Sequence, residues 1–218
     1  MLFRIGIFLE ILPIILFVVF LKRNKHGGIW VILLSVLLSA MADLTYTFHR
    51  SGINALYFHA CFTIIEYSLF SLFLYLSFTK KVFKIILITA SLAFYVVAIS
   101  NFLIKGNQDF DSMSASAEAV LIIVYSIFYL YEQVNDPSVL LVYNAKKFWI
   151  VLAFLIYFSS TLFLFIYATA MTNQEHKSYW NINNFFDELK NLLFSVGFIM
   201  KSDKKNRYTV ESPYLDPN

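Results

Sequence analysis

The chain has 218 residues, of which 59% are hydrophobic, 19% aromatic and 14% charged, with a formal charge of +3. A soluble domain runs at about 45–50% apolar and about 25% charged, and it cannot hide this much apolar surface. The composition excludes a soluble enzyme, a nucleic-acid-binding domain and a disordered chain, and leaves an integral membrane protein.

A hydrocarbon core about 30 Å thick takes roughly 20 apolar residues per helix. Seven runs meet that need, at 3–21, 28–47, 55–78, 82–104, 116–134, 148–170 and 180–200. The seventh is interrupted by Asp187, Glu188 and Lys190. Polar separators fall at 21–28, 49–54, 79–81, 105–112, 135–138 and 172–178. Open strands would leave backbone groups unsatisfied in lipid, and a β-barrel needs short alternating segments. Long continuous runs therefore predict helices. In the first run Glu10 sits inside the apolar stretch and the basic cluster follows it, which predicts a retained span and not a cleaved signal peptide. Cys61, the one cysteine, lies in an apolar run and is expected to be a buried, inert thiol.

Orientation follows from the Lys and Arg in alternate loops. One set holds Lys22, Arg23, Lys25, Lys80, Lys81, Lys84, Lys146, Lys147, Lys201, Lys204, Lys205 and Arg207; the other holds Arg4, Arg50, Lys105 and Lys177. The richer set faces the cytoplasm. The expectation is an all-α polytopic protein of seven transmembrane helices, N-terminus outside and C-terminus inside. Residues 1–200 form the membrane domain and 201–218 a polar, basic cytoplasmic tail. The expected location is the cell inner (plasma) membrane.

Ionisable groups inside spans are costly in lipid and most often mark function. His59, Thr63 and Glu66 share one face of the third span, with Glu66 the deepest acid of the chain. Its functional reading is a proton, ion or ligand site; the structural one is a hydrogen-bonded acid that locks helix packing. In the second span Ser35 and Ser39 read as small-residue packing, and Asp43 as an interfacial acid near Arg50. Glu10 lies near the outer end of the first span, three residues before Pro13. Glu118, Tyr125, Tyr129 and Glu132 line one face of the fifth span. Tyr129 and Tyr131 also suit an aromatic belt. In the seventh span Asn184, Glu188, Asn191 and Ser195 form one stripe and Asn183, Asp187 and Lys190 the next, with Asp187 and Lys190 spaced to pair. The competing reading is a tilted helix whose first turns stand above the membrane. One hypothesis gathers Glu10, Asp43, His59, Glu118, Asp187, Glu188 and Lys190 around an outward-facing polar cavity with Glu66 at its floor.

Several chemistries lack their signatures. The spacing around Lys190 and Asp187 is wrong for a retinal protein. His59 is the one histidine within a span, too few for a histidine-rich zinc site. No GxSxG, nucleotide-binding or selectivity-filter motif is present. No cofactor is expected.

Four stretches, IIEYSLFSLFLY at 64–75, FDSMSASAEAVLIIVYSIFYLYEQ at 110–133, FWIVLAFLIYFSSTLFLF at 148–165 and WNINNFFDELKNLLFSVGFI at 180–199, together resemble a family of small bacterial seven-span membrane proteins. That family is itself similar to membrane regions preceding some sensor histidine kinases. The resemblance implies a seven-helix fold and a role in sensing, and supplies no catalytic residue. The leading expectation is a membrane sensor or signalling component. It would bind a small ligand, lipid or partner in the outer cavity and signal through a partner membrane protein or a homo-oligomer. The alternative is an oligomeric ion channel or proton-coupled permease with Glu66 as gate or proton site. The third is a lipid-modifying enzyme using the carboxylates as acid and base. An enzyme is the less favoured class, and membrane lipids, not nucleic acid, are the expected surroundings.

Overall fold

Few glycines and prolines and long apolar runs favour uninterrupted helices, which satisfy their own backbone groups. A computed structural model describes residues 2–25, 27–48, 53–105, 112–136, 142–168 and 173–200, with side chains described over 9–25, 27–42, 61–103, 112–136, 142–168 and 179–200. Among these residues every regular element is helical: α1 (Leu2–Val19), α2 (Leu21–Asn24), α3 (Ile29–Phe48), α4 (Ile53–Ser77), α5 (Lys81–Lys105), α6 (Ser112–Val134), α7 (Lys146–Tyr167) and α8 (Asn173–Ile199), plus a 3-10 turn at Val142–Asn144. Three stretches, Lys81–Leu103, Ser112–Val134 and Lys146–Tyr167, are long and apolar enough to cross a membrane. Shorter apolar stretches lie at Leu9–Val19, Ile29–Ala42 and Cys61–Ser77. The basic tail at 201–218 lies outside the described residues.

Among the described residues the separators at 21–28 and 79–81 fall between long helices, but 172–178 does not. All but its first residue belongs to α8. Asn, Gln, Glu and Lys are tolerated in a helix, so their polarity marks surroundings and not a chain break. Pro13 likewise sits inside α1, which continues beyond it.

Packing closes a ring. α1 meets α3, α3 meets α4, α4 meets α6, α6 meets α7, α7 meets α8, and α8 returns to α1. α5 stands outside the ring, against α4 and α6. Its Ile85, Ile88, Leu92, Val96, Ile99 and Leu103 recur at helical spacing and are 46–75% exposed. Glu66, Glu118, Glu132, Lys146 and Lys190 are meanwhile buried. Apolar outside and charged inside is the reverse of a water-soluble fold and matches a lipid surround. The same inversion corrects the expectation for Cys61, which is exposed. In a lipid-facing bundle an apolar neighbourhood in sequence points outward as readily as inward.

The ring's centre is filled with aromatics. Phe154 of α7 packs on Phe70 and Phe73 of α4 and on Phe194 of α8, at ring-centroid distances of 4.5, 5.9 and 5.7 Å. Phe17 of α1 meets Phe198 of α8 edge-on at 5.3 Å. Offset and edge-on pairs of this kind each contribute about 0.5–1.5 kcal/mol beyond burial.

One end of the bundle is basic, carrying Lys22, Arg23, Lys25, Lys80, Lys81, Lys84, Lys146 and Lys147. Two polar clamps hold it together. Glu132, at the end of α6, accepts hydrogen bonds from the Thr79 amide (3.1 Å), the Thr79 hydroxyl (2.6 Å) and the Lys80 amide (2.5 Å), and so caps the start of α5. The Lys146 ammonium donates to the Arg23 carbonyl (2.9 Å) and to Asn24 Oδ1 (2.7 Å). The Asn24 side-chain amide in turn donates to the Phe198 carbonyl at 3.3 Å, and the Arg23 guanidinium donates to the Ile199 and Met200 carbonyls. These are the orphan carbonyls at the end of α8. The chain reverses into α3 through Gly27 and Gly28, both at positive φ (76° and 81°), and a Cβ on Gly28 would lie 3.1 Å from Leu76.

Candidate functional site

The charged centre lies on the side of the aromatic layer away from the basic end. One turn from Phe70, α4 presents Glu66; one turn from Phe194, α8 presents Lys190; and α7, running the other way, brings Tyr157 to the same level. Lys190 is 3% exposed, Glu66 7% and Glu118 of α6 4%.

The Lys190 ammonium sits 2.5 Å from Asp187 Oδ1 and 3.8 Å from Glu66 Oε1. The ammonium also lies over two aromatic rings, 4.3 Å from the centroid of Tyr157 and 6.0 Å from that of Phe70. An ammonium over a ring face is attracted by the ring quadrupole, more strongly when desolvated. The second Asp187 oxygen accepts a hydrogen bond from the Asn191 side chain at 3.2 Å. Tyr157 donates its hydroxyl to Asn183 Oδ1 at 3.3 Å, tying α7 to the next turn of the same α8 stripe. Glu118 feels the charges of both Glu66 and Lys190. Its Oε1 atom is buried without a hydrogen-bond partner.

The arrangement thus sets three carboxyl groups against one ammonium. The spacing of Asp187 and Lys190 on one helix makes their pair local. The meeting with Glu66 and Glu118 is tertiary and joins three helices. Removing the ammonium from such a centre leaves uncompensated buried carboxylate charge, which costs several kcal/mol.

Polar access is one-sided along α8. Asn184 is exposed, Asn183, Asp187 and Glu188 are half-buried, and Lys190, Asn191 and Ser195 are buried. Beyond them toward the basic end lies the layer of Phe70, Phe73, Phe154 and Phe194, each at most 1% exposed.

Of the residues that the sequence gathers around an outer cavity, the structure brings Glu66, Glu118, Asp187 and Lys190 together. Glu10 is half-buried on α1 and Glu188 half-buried on α8. The side chains of Asp43 and His59 lie outside the described residues. No group of three or more His, Cys, Asp or Glu among the described residues is arranged to hold a metal ion.

Two features escaped the sequence reading. Tyr67 of α4, 0% exposed, shares hydrogen bonds with Ser91 of α5 (2.8 Å) and Tyr125 of α6 (3.3 Å). Beside it Ser68 and Tyr95 are 2.8 Å apart. These hydroxyls hold α5 to the ring. Isolated tyrosines and serines in apolar runs carry no signal of such a network. The second is the Arg23–Asn24–Lys146 clamp, whose cations the loop-charge count reads as topology anchors alone. Tyr129 is buried and Tyr131 exposed, so the belt reading suits only the latter.

Comparison with protein families, curated proteins and solved structures finds no match.

Proposed function

We propose that this chain is an integral membrane sensor or signalling component of the cell inner membrane. In this reading it spans the bilayer seven times, N-terminus outside and C-terminus inside, and binds a small ligand at the charged centre of Glu66, Glu118, Asp187 and Lys190. The supporting observation is the asymmetry of that centre. It is approached through the half-buried polar stripe of α8 and is closed toward the basic end by four buried phenylalanines. A binding site with access from one side suits reception; a permeation path needs access from both. α8 carries the site's Lys190 and Asp187, and its last carbonyls are held in the clamp at the basic end, so a change at the centre has a mechanical route to that end.

The second reading is a channel or proton-coupled permease with Glu66 as its gate. The excess of acids over bases at the centre favours it, since cation pathways are commonly lined by such groups. Flux of protons, Na+ and K+ through proteoliposomes, wild type beside Glu66→Gln, separates the two. Sensing predicts no flux above empty vesicles in either protein. Flux that the substitution alters would replace sensing with conduction.

A further inference from the structure

Among the described residues the charged centre carries two more acidic groups than cations, inside an aromatic and aliphatic shell. Ionised and unneutralised, each would cost several kcal/mol in such surroundings. Lys190 does not divide itself evenly. Its ammonium lies 1.3 Å closer to Asp187 (2.5 Å) than to Glu66 (3.8 Å), and Asp187 is further engaged by Asn191. Glu118 is the remaining acid. It is 4% exposed, it lies within the electrostatic reach of Glu66 and Lys190, and its Oε1 is buried without a hydrogen-bond partner. A buried carboxyl oxygen without a hydrogen-bond partner is costly when ionised, and neutralising it removes most of that cost.

We propose that the ligand of this centre is a proton, taken up on Glu118 from the polar end of α8 and shared electrostatically with Glu66, so that the site reports the acidity of the compartment that α8's polar stripe faces. This rests on the reading of the chain as a sensor and names the ligand for it. A proton suits the geometry better than a metal ion, because the acids do not converge as a metal cage and because a proton needs one oxygen and no cavity. It adds to a Glu118 oxygen lone pair, an O–H bond forms, and the centre gains one positive charge with no other bond changed.

The groups facing Glu118 set the response. From α4 comes Glu66, whose negative charge favours uptake. From α8 comes the Lys190 ammonium, which opposes it, with Asp187 behind. Tyr157 of α7, under the Lys190 ammonium, donates its hydroxyl to Asn183 of α8. Uptake removes the Glu118 negative charge that attracts Lys190. The ammonium then rests more fully on Asp187 of its own helix, which loosens its hold on Glu66 of α4. α8 carries this change toward the clamp at Phe198–Met200.

The test is infrared difference spectroscopy on the full chain in lipid nanodiscs, titrated from neutral to acid. The wild type should develop the carbonyl stretch of a protonated carboxyl, shifted in D2O. Glu118→Gln should lose that band, and Glu66→Gln should retain it at a changed midpoint. A band that persists in Glu118→Gln, or no band in the wild type, overturns the proposal. Should Glu118→Gln fail to fold, Glu118→Asp takes its place: the band must move in frequency, and an unmoved band also overturns the assignment. Exchange of Na+ for choline at constant pH should leave the spectra unchanged. A response there would make the occupant an alkali cation and remove the proton from Glu118. Flux in proteoliposomes with the Glu118 band intact would fail the sensor reading and leave the proton site standing.

Discussion

Among the described residues Lys190 is the cation set against three acids at the centre of the bundle, and its contribution is set by what its removal leaves behind. A methionine in its place keeps most of the apolar stem and removes the charge that lies over Tyr157 and Phe70. Glu66 and Asp187 then lose their ammonium in a site where the lysine itself is 3% exposed. Breaking a buried pair from one side costs about 3–5 kcal/mol. Lys190→Met is expected to lower the thermal unfolding midpoint in detergent sharply. Adding Asp187→Leu, which removes the nearest stranded acid, should recover part of that loss. A double variant no more stable than the single one would show that the pair is not coupled.

At the scale of elements, α8 is the helix on which the site and the scaffold meet. Its approach to α7 depends on Gly197. A Cβ there would lie 3.1 Å from Ile150 Cγ1 and 3.2 Å from the Lys146 backbone carbonyl. The side chain can give way, but the backbone carbonyl has little freedom, and Lys146 also anchors the clamp to Arg23 and Asn24. Small residues at membrane helix interfaces serve this kind of close approach. Gly197→Ala is expected to destabilise by about 1–3 kcal/mol through overpacking, in spite of alanine's better helix propensity. Chemical denaturation in mixed micelles measures it, and an unchanged or raised stability would mean that α7 and α8 separate without cost. α5 contrasts with α8. It is held by the Glu132 cap at one end and by the Tyr67–Ser91–Tyr125 hydroxyls along its length, and it otherwise presents apolar side chains outward.

For the whole molecule the governing fact is the inversion of polarity, with charge at the centre and aliphatic side chains at the rim. The outer stripe of α5 is expected to lie in lipid. Single cysteines introduced at Leu92, Val96 and Ile99, with Cys61 replaced by serine, should carry spin labels that relax strongly with oxygen and weakly with a water-soluble nickel complex. Labels at Lys22 and Lys80, exposed at the basic end, should show the opposite balance. A water-like response along α5 would mean that this stripe is covered by another polar surface or stands outside the bilayer. The basic end also fits an interface with anionic headgroups, its lysine ammoniums lying near ring faces, as Lys84 does over Tyr75 at 5.0 Å and Lys80 over Tyr131 at 5.7 Å.

Sequence alone determined that the chain is helical and apolar on the membrane scale, because run length and hydropathy are sums along the chain that no tertiary contact alters. It also determined the Asp187–Lys190 pairing, since helical periodicity places residues three apart on one face. The buried face of Glu118, Tyr125, Tyr129 and Glu132 was legible for the same reason. What lies between helices was not. Shared depth groups Glu66, Glu118 and Lys190 as a hypothesis, but no spacing says which of the grouped acids lie within reach of Lys190, that Glu132 caps α5, or that Lys146 grips the end of α8 through Asn24. Nor does it say which apolar faces turn to lipid, and so Cys61 turned outward against expectation. In lipid both sides of a helix can be equally apolar, so hydropathy loses its power to distinguish core from surface. Only the close packing of the ring decides which face is inside.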